Sequence, residues 1–312
     1  MTRRDALLLA AAALAPPMVR RSAARASPSP GFTTVEVAPG LHVRPGVHEE
    51  ATPENRDAIA NIGFVVGGEA VAVIDPGGSR ADGEALRARI RAVTPLPVRY
   101  VVMTHFHPDH VFGAGAFADD TPVFVAHARM RGQFVARGEY YRNRLADVLG
   151  LEDAGDYAAP GMWVEERAEI ALGGRVLDLR AHPTAHTDHD LSVFDRDTAT
   201  LWAGDLLFVE RIPALDGSLL GWLRELDALK RLPAVRAVPG HGPASVPWPA
   251  GAVDQERYLR ALAQETRAII ARGGSIERAV ETVGQGERGR WALFDDYNGR
   301  NATVAFKELE WE

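Results

Sequence analysis

The chain has 312 residues, 46% hydrophobic and 25% charged, with 30 Gly, 20 Pro and no Cys. That is ordinary globular composition, and zero Cys excludes a disulfide scaffold, a thiolate zinc knuckle, an iron–sulfur cluster and a cysteine nucleophile. The formal net charge of −7 repels phosphate backbones and argues against a nucleic-acid partner.

Residues 1–26 read as a secretory signal peptide. Arg3-Arg4 precedes an uninterrupted Ala/Leu run from Ala6 to Ala15, and Ala24-Arg25-Ala26 has the A-x-A form of a cleavage site. The run is too short for a stable membrane anchor. The paired arginines resemble the twin-arginine class, so export to the periplasm is expected. These residues hold five arginines and one aspartate; without them the charge becomes −11.

Residues 27–312 read as a single domain with a helical C-terminal part. Ser27-Pro28-Ser29-Pro30-Gly31 is a linker. Strands are expected at Thr33–Val37, Leu41–Arg44, Ile59–Val66 and Ala70–Ile74, where β-branched runs end at Gly and Pro turns. A helix follows over Ser79–Val93, then a strand over Val98–Met103. Thr121–Ala126 reads as a strand and His127–Leu149 as a helix. Strands follow at Glu169–Leu172, Val176–Ala181, Leu191–Asp195 and Thr200–Ala203. Gly217–Leu232 reads as a helix with Leu219, Leu220, Leu223, Leu226 and Leu229 as its apolar face. Ala234–Val238 is a strand, and helix resumes from Val253. Strand-rich blocks thus alternate with single helices, twice over. Two packed sheets with helices outside satisfy that pattern.

The segment that carries chemistry is Thr104-His105-Phe106-His107-Pro108-Asp109-His110. In extended chain, residues two apart share a side, so His105, His107 and Asp109 can converge. His110 joins if the chain turns helical after Pro108. Three imidazoles and a carboxylate this close suit a borderline divalent metal such as zinc. Three further residues follow strand ends: His186, Asp205 after the strand Thr200–Ala203, and His241 in Pro239-Gly240-His241-Gly242. Gly113-Ala114-Gly115 lacks the strand–turn–helix context of a nucleotide loop and falls within the helix of the metal motif.

In this order the residues resemble the metallo-β-lactamase-fold hydrolase superfamily over about Phe32 to Ala250. The resemblance implies an α/β fold, a four-layer αββα sandwich with a dinuclear site between its sheets. One metal would take His105, His107 and His186, the other Asp109, His110 and His241, with Asp205 bridging. Asp75 would steady the histidine loop from behind. The ions implied are two divalent metals, zinc first, then iron or manganese. The site's hydroxide, oriented by Asp109 as catalytic residue, would cleave an ester, lactone, thioester or related bond of a small-molecule substrate. Asp205 stands where true lactamases have Cys or Ser, which argues against a dedicated β-lactamase. A metal-binding accessory protein and a mononuclear iron dioxygenase on the same fold compete with the hydrolase. Thr184–Leu191, Leu201–Phe208, Arg211-Ile212-Pro213 and Asp216–Trp222 look like the quinoprotein relay system zinc metallohydrolases. That likeness implies a link to a periplasmic quinoprotein dehydrogenase system. His189 and Arg211 are candidates for the substrate pocket. Tyr140 and Tyr141 lie on the helix after the motif, where packing is the expected role.

Overall fold

The structure, a computed structural model, describes residues 32–312. The signal-peptide reading of residues 1–26 and the linker Ser27–Gly31 lie outside the described residues. Within them, one sheet has seven strands in sequence order: β1 (Val35–Ala38), β2 (Leu41–Arg44), β3 (Ile62–Val66), β4 (Val71–Ile74), β5 (Val98–Val102), β6 (Val123–His127) and β7 (Met162–Val164). The second has six: β8 (Arg167–Ala171), β9 (Val176–Ala181), β10 (Leu191–Asp195), β11 (Thr200–Phe208), β12 (Arg236–His241) and β13 (Val246–Pro247), in the order β13-β12-β11-β10-β9-β8.

Strand alternation assigns each face its layer. Val65, Ala72 and Ile74 point inward with Val102 and Val125, and meet Ile170, Leu177, Leu179, Val193, Trp202 and Val238 of the second sheet. The intervening Ile62, Phe64, Val71 and Val73 face outward. They pack on Leu86 and Ile90 of α1 (Arg80–Val93) and on Phe117 of a 3₁₀ turn at Ala114–Asp120. Helix α2 (Pro108–Val111) is a single turn, and α3 (Met130–Leu149) crosses above the histidine loop. Outside the second sheet lie α4 (Leu219–Leu229), α5 (Val253–Ile270), α6 (Ile276–Thr282) and α7 (Phe294–Leu309). They share one apolar cluster with Leu201, Leu206 and Phe208. This is the αββα sandwich the sequence implied.

Three helices, α1, α4 and α6, start where a serine (Ser79, Ser218 and Ser275) satisfies their free backbone amides. Ser79 Oγ accepts from Asp82 N at 3.3 Å, and Ser218 Oγ from Gly221 N at 2.9 Å. The buried face of α4 is Leu219, Trp222, Leu226 and Leu229, not the all-leucine face expected; Leu220 and Leu223 are only partly covered. Trp222 fits there because its indole N–H donates to Leu206 O at 2.9 Å.

Two expectations at strand ends and one at a helix need correction. β11 does not stop at Ala203 but runs to Phe208, so Asp205 lies inside it. Gly204, at φ +54°, sits at a break in register with β12, and this bulge carries the strand past the Gly-Asp pair. β12 likewise extends to His241, which ends it rather than following it. The glycines Gly113 and Gly115 flank the start of the 3₁₀ turn instead of lying within a motif helix, because α2 has already ended at Val111.

Candidate metal centre

All the candidate ligands come to one edge of the sandwich. The parallel pairs β4–β5 and β11–β12 set their C-terminal ends side by side there. β4 ends just before Asp75 and β5 feeds the loop to His105; β11 and β12 deliver Asp205 and His241. His186 arrives on the loop between β9 and β10. That loop is joined to the first sheet by Leu191 N, which donates to Thr104 O at 2.7 Å. Asn61 ties the His241 side: its backbone N donates to Gly240 O at 2.7 Å and its amide to Pro239 O at 2.9 Å.

The donor atoms fall into two groups, each with all members within 4.8 Å: His105, His107, His186 and Asp205, and then Asp109, His110 and His241. Simple alternation along the loop does not produce this split. Pro108 starts a helical turn, so His107 closes the extended part while Asp109 and His110 turn away together. Asp205 lies between the groups. Its Oδ2 is 3.6 Å from His105 Nε2 and 3.5 Å from His186 Nε2; its Oδ1 is 3.1 Å from His110 Nε2. His241 Nε2 reaches Asp109 Oδ2 at 3.3 Å and Asp205 Oδ2 at 3.4 Å.

Outer hydrogen bonds fix which ring nitrogen faces inward. His186 Nδ1 meets Ala214 O at 2.6 Å and His241 Nδ1 meets Ile59 O at 2.9 Å. A carbonyl can only accept, so both rings carry a proton on the outer nitrogen and turn Nε2 inward. Asp75 is fully buried at φ +54°. It accepts from Thr104 N at 2.8 Å and Thr104 Oγ1 at 2.9 Å, and lies 2.8 Å from His110 Nδ1. Having donated to Asp75, the Thr104 hydroxyl accepts from His105 Nδ1 at 3.0 Å. His107 is turned the other way, with Nδ1 inward and Nε2 3.4 Å from Asp216 Oδ2.

Charge and burial make this cluster a cation site. His105 Nε2 and His107 Nδ1 stand 3.0 Å apart, two basic nitrogens aimed at one point. His110 Nε2 and Asp205 Oδ1 are buried without a hydrogen bond of acceptable geometry. Burial pushes His186 down to about 4 and His105 well below the usual histidine range, so both are neutral donors. Burial also acts on Asp205, but the surrounding His241 and His110 outweigh it and hold the carboxyl well below its ordinary range. The carboxylates Asp205 and Asp109 instead raise His110 and His241, so protons on these two rings balance the negative charge, the place a divalent ion would take.

Above the donors opens a cavity of about 390 Å³ lined by His107, Asp109, Asp205 and His241, by Arg137, Tyr140 and Tyr141 of α3, and by Tyr297 and Arg300 of α7. Of the two pocket candidates, Arg211 lines this cavity, and His189 does not. His189 is buried, and its Nε2 accepts from Phe106 N at 3.1 Å, so it braces the histidine loop from behind. The tyrosines of α3 reach further than packing: Tyr140 is exposed at the rim and Tyr141 stacks edge-on to His107 with centroids 6.2 Å apart. Sequence reasoning missed Asp216, Thr104, Tyr297 and Arg300. Asp216 had a trace in the Asp216–Trp222 likeness, but no spacing rule connects it to His107.

A family model described as the metallo-beta-lactamase superfamily matches residues 55–241. The chain belongs to that superfamily. Among curated relatives, a Caenorhabditis elegans protein named beta-lactamase-like protein 2 homolog is 27% identical over 160 residues, 49% of this chain and 45% of the relative. A linear primary-alkylsulfatase of Pseudomonas sp. (strain ATCC 19151) is 32% identical over 65 residues, 21% of this chain and 12% of that protein. The chain thus spans less than half the length of these curated relatives. Of solved structures, the sec-alkylsulfatase Pisa1 from Pseudomonas sp. superposes with a TM-score of 0.67 at 16% identity, over 89% of this chain and 50% of that one. A metallo-beta-lactamase family protein from Thermus thermophilus gives 0.62 at 21% identity, over 88% and 93%. At these identities the superpositions establish the metallo-beta-lactamase fold.

Proposed function

We propose that this protein is an exported, metal-dependent hydrolase that cleaves an ester, lactone, thioester or related bond of a small molecule. The observation that carries the reading is the pair of donor groups meeting at Asp205 beneath an open cavity. His105, His107 and His186 would hold one divalent ion, Asp109, His110 and His241 the other, with Asp205 shared. Zinc suits this nitrogen and oxygen donor set best. Bound divalent ions supply Lewis acidity, polarising a carbonyl and bringing the pKa of a water towards about 7.

The protein's own groups do the positioning. Burial alone would raise the Asp109 carboxyl, but His110 and His241 outweigh it and keep it ionised. As a carboxylate on the cavity wall it accepts a hydrogen bond from the attacking water and aims its lone pair at the substrate. Ala214, Ile59 and Asp75 keep the ligand rings from turning. Arg137 and Tyr141, hydrogen-bonded at 3.0 Å, form one wall beside the reacting bond.

The signal-like N-terminus supports periplasmic export. The likeness of Thr184–Leu191 and Leu201–Phe208 to the quinoprotein relay metallohydrolases supports service to a quinoprotein dehydrogenase system. The alkylsulfatase relatives add sulfate esters to the bonds worth testing. The test is metal quantification on periplasm-purified protein, then a panel of esters, lactones, thioesters and sulfate esters, with a chromogenic cephalosporin alongside. Two equivalents of divalent metal and turnover of one class are expected. Folded Asp109→Ala should lose nearly all of that turnover. A metal-replete protein inert on the whole panel overturns the hydrolase reading, and a metal-replete Asp109→Ala with wild-type turnover overturns the role of Asp109.

A further inference from the structure

The cavity above the donors has one wall that lies outside the family-matched residues 55–241: helix α7, which contributes Tyr297 and Arg300. Three arginines face this cavity, and they are not equivalent. Arg137 is engaged, its Nη1 donating to Asp216 Oδ2 at 2.8 Å and to Tyr141 Oη at 3.0 Å. Arg211 is buried and engaged as well. It donates to Glu49 O at 3.1 Å, to Glu50 Oε1 at 3.3 Å and to Tyr297 Oη at 3.3 Å. The sequence offered Arg211 for the substrate pocket, but these partners already use its guanidinium.

Arg300 differs. Among the described residues no carboxylate pairs with it, and it is exposed at the cavity mouth. Its guanidinium lies 5.5 Å from the centre of the Tyr297 ring, and that of Arg211 lies 5.6 Å from the same centre. Two cations thus share one ring while only one has a carboxylate. The ring face holds the Arg300 head in place, and the uncompensated charge makes the mouth attractive to an anion in an otherwise acidic protein. The remaining lining includes apolar Ile59, Phe208 and Leu215.

Building on the hydrolase reading, we propose that the substrate carries a carboxylate remote from the bond that is cleaved, and that Arg300 binds it. The planar guanidinium fork matches both carboxylate oxygens, and the apolar lining receives the carbon chain between the two ends. Arg300 is therefore a binding and specificity residue.

The test uses the full zinc-loaded protein and two readouts. In calorimetry, glutarate should bind about tenfold more tightly than butyrate, which lacks the second carboxylate. In Arg300→Gln the two should bind alike, while Arg300→Lys keeps most of the preference and high salt weakens it. In kinetics, the p-nitrophenyl monoester of glutaric acid is compared with p-nitrophenyl pentanoate. The first should be favoured about tenfold in kcat/KM through a lower KM, and Arg300→Gln should bring the ratio close to unity. Equal binding of glutarate and butyrate by the wild type, or a preference that survives Arg300→Gln, overturns the proposal. If glutarate preference depends on Arg300 while neither ester is hydrolysed, the anion site stands and ester hydrolysis falls.

Discussion

Gly240 offers the sharpest perturbation of the shared ligand. It lies in β12 beside Asp205, and its backbone is one that alanine can adopt. A Cβ at this position would come within 2.8 Å of both Asp205 N and Gly204 C, and would overlap Asp205 Oδ1 outright. Ordinary contacts need roughly 3.4 Å or more, so the carboxylate must move by on the order of 1 Å and the Gly204–Asp205 backbone must give with it. It now sits 3.1 to 3.6 Å from four histidines, and that shift breaks the fit to both groups at once. Overpacking of this kind costs roughly 1–3 kcal/mol, which a domain stable by about 5–15 kcal/mol survives. Gly240→Ala should therefore fold, lose about one equivalent of metal, and fall about 100-fold in turnover. Gly289→Ala is the control, since nothing lies within 4 Å of a Cβ there. Metal stoichiometry by mass spectrometry and thermal melting read the outcome. A Gly240→Ala protein holding two tightly bound ions with wild-type turnover would refute the placement of Asp205 as the shared ligand.

Asp216→Asn removes the carboxylate 3.4 Å from His107 Nε2, and metal affinity measured by chelator competition should fall about 10- to 100-fold. Unchanged affinity would mean His107 holds its orientation without that partner. Burial pushes the Asp190 carboxyl up to about 8, although Thr187 donates to it through N at 2.8 Å and Oγ1 at 2.6 Å. With an unfolded value of about 3.9, the folded state binds more protons between about pH 4 and 8. Stability should therefore decline as pH rises through that window, by up to about 1.4 kcal/mol per pH unit. Asp190→Asn, which mimics the protonated form, should flatten this slope in denaturant titrations at several pH values; an equally steep slope in the variant would assign the dependence elsewhere.

Most of the sandwich is legible in the chain because alternation reports which face is buried. Ile62, Phe64, Val71 and Val73 belong to one layer and Val65, Ala72 and Ile74 to the next, as period two requires. β7 escapes such a reading because Met162–Val164 is too short to alternate. The end of β11 is misplaced because Gly-Asp after an apolar run imitates a turn. Only the pairing with β12 reveals that Gly204 is a bulge inside a longer strand. His105, His107, Asp109 and His110 announce themselves by density within one loop. What orients them does not: Ala214 and Ile59 act through backbone carbonyls, which carry no residue signature. His189 misleads for a related reason. Proximity to His186 in sequence suggests the pocket, whereas the ring turns to the Phe106 amide. Tyr297 and Arg300 come from a helix far beyond the motifs, and only the packing of α7 against α5 and α6 brings them over the cavity.

The outer hydrogen bonds also explain why the ligand set needs both sheets. His110 and His105 are oriented by Asp75 and Thr104, at the ends of β4 and β5. His241 ends a strand of the second sheet, yet its proton goes to Ile59, just before β3 of the first. His186 is oriented by Ala214, a residue between β11 and α4. For His110, His186 and His241 the inward nitrogen is thus set by a partner distant in sequence, and for His241 that partner lies just before β3 of the opposite sheet. An imidazole free to turn or change tautomer would lose affinity for an ion in proportion to the states it visits. Here the close packing of the two sheets removes those states before any ion arrives. The apolar core between the sheets and the polar edge are therefore one device: Val65, Ile74, Leu179 and Trp202 hold the sheets at the separation that Asp205 spans.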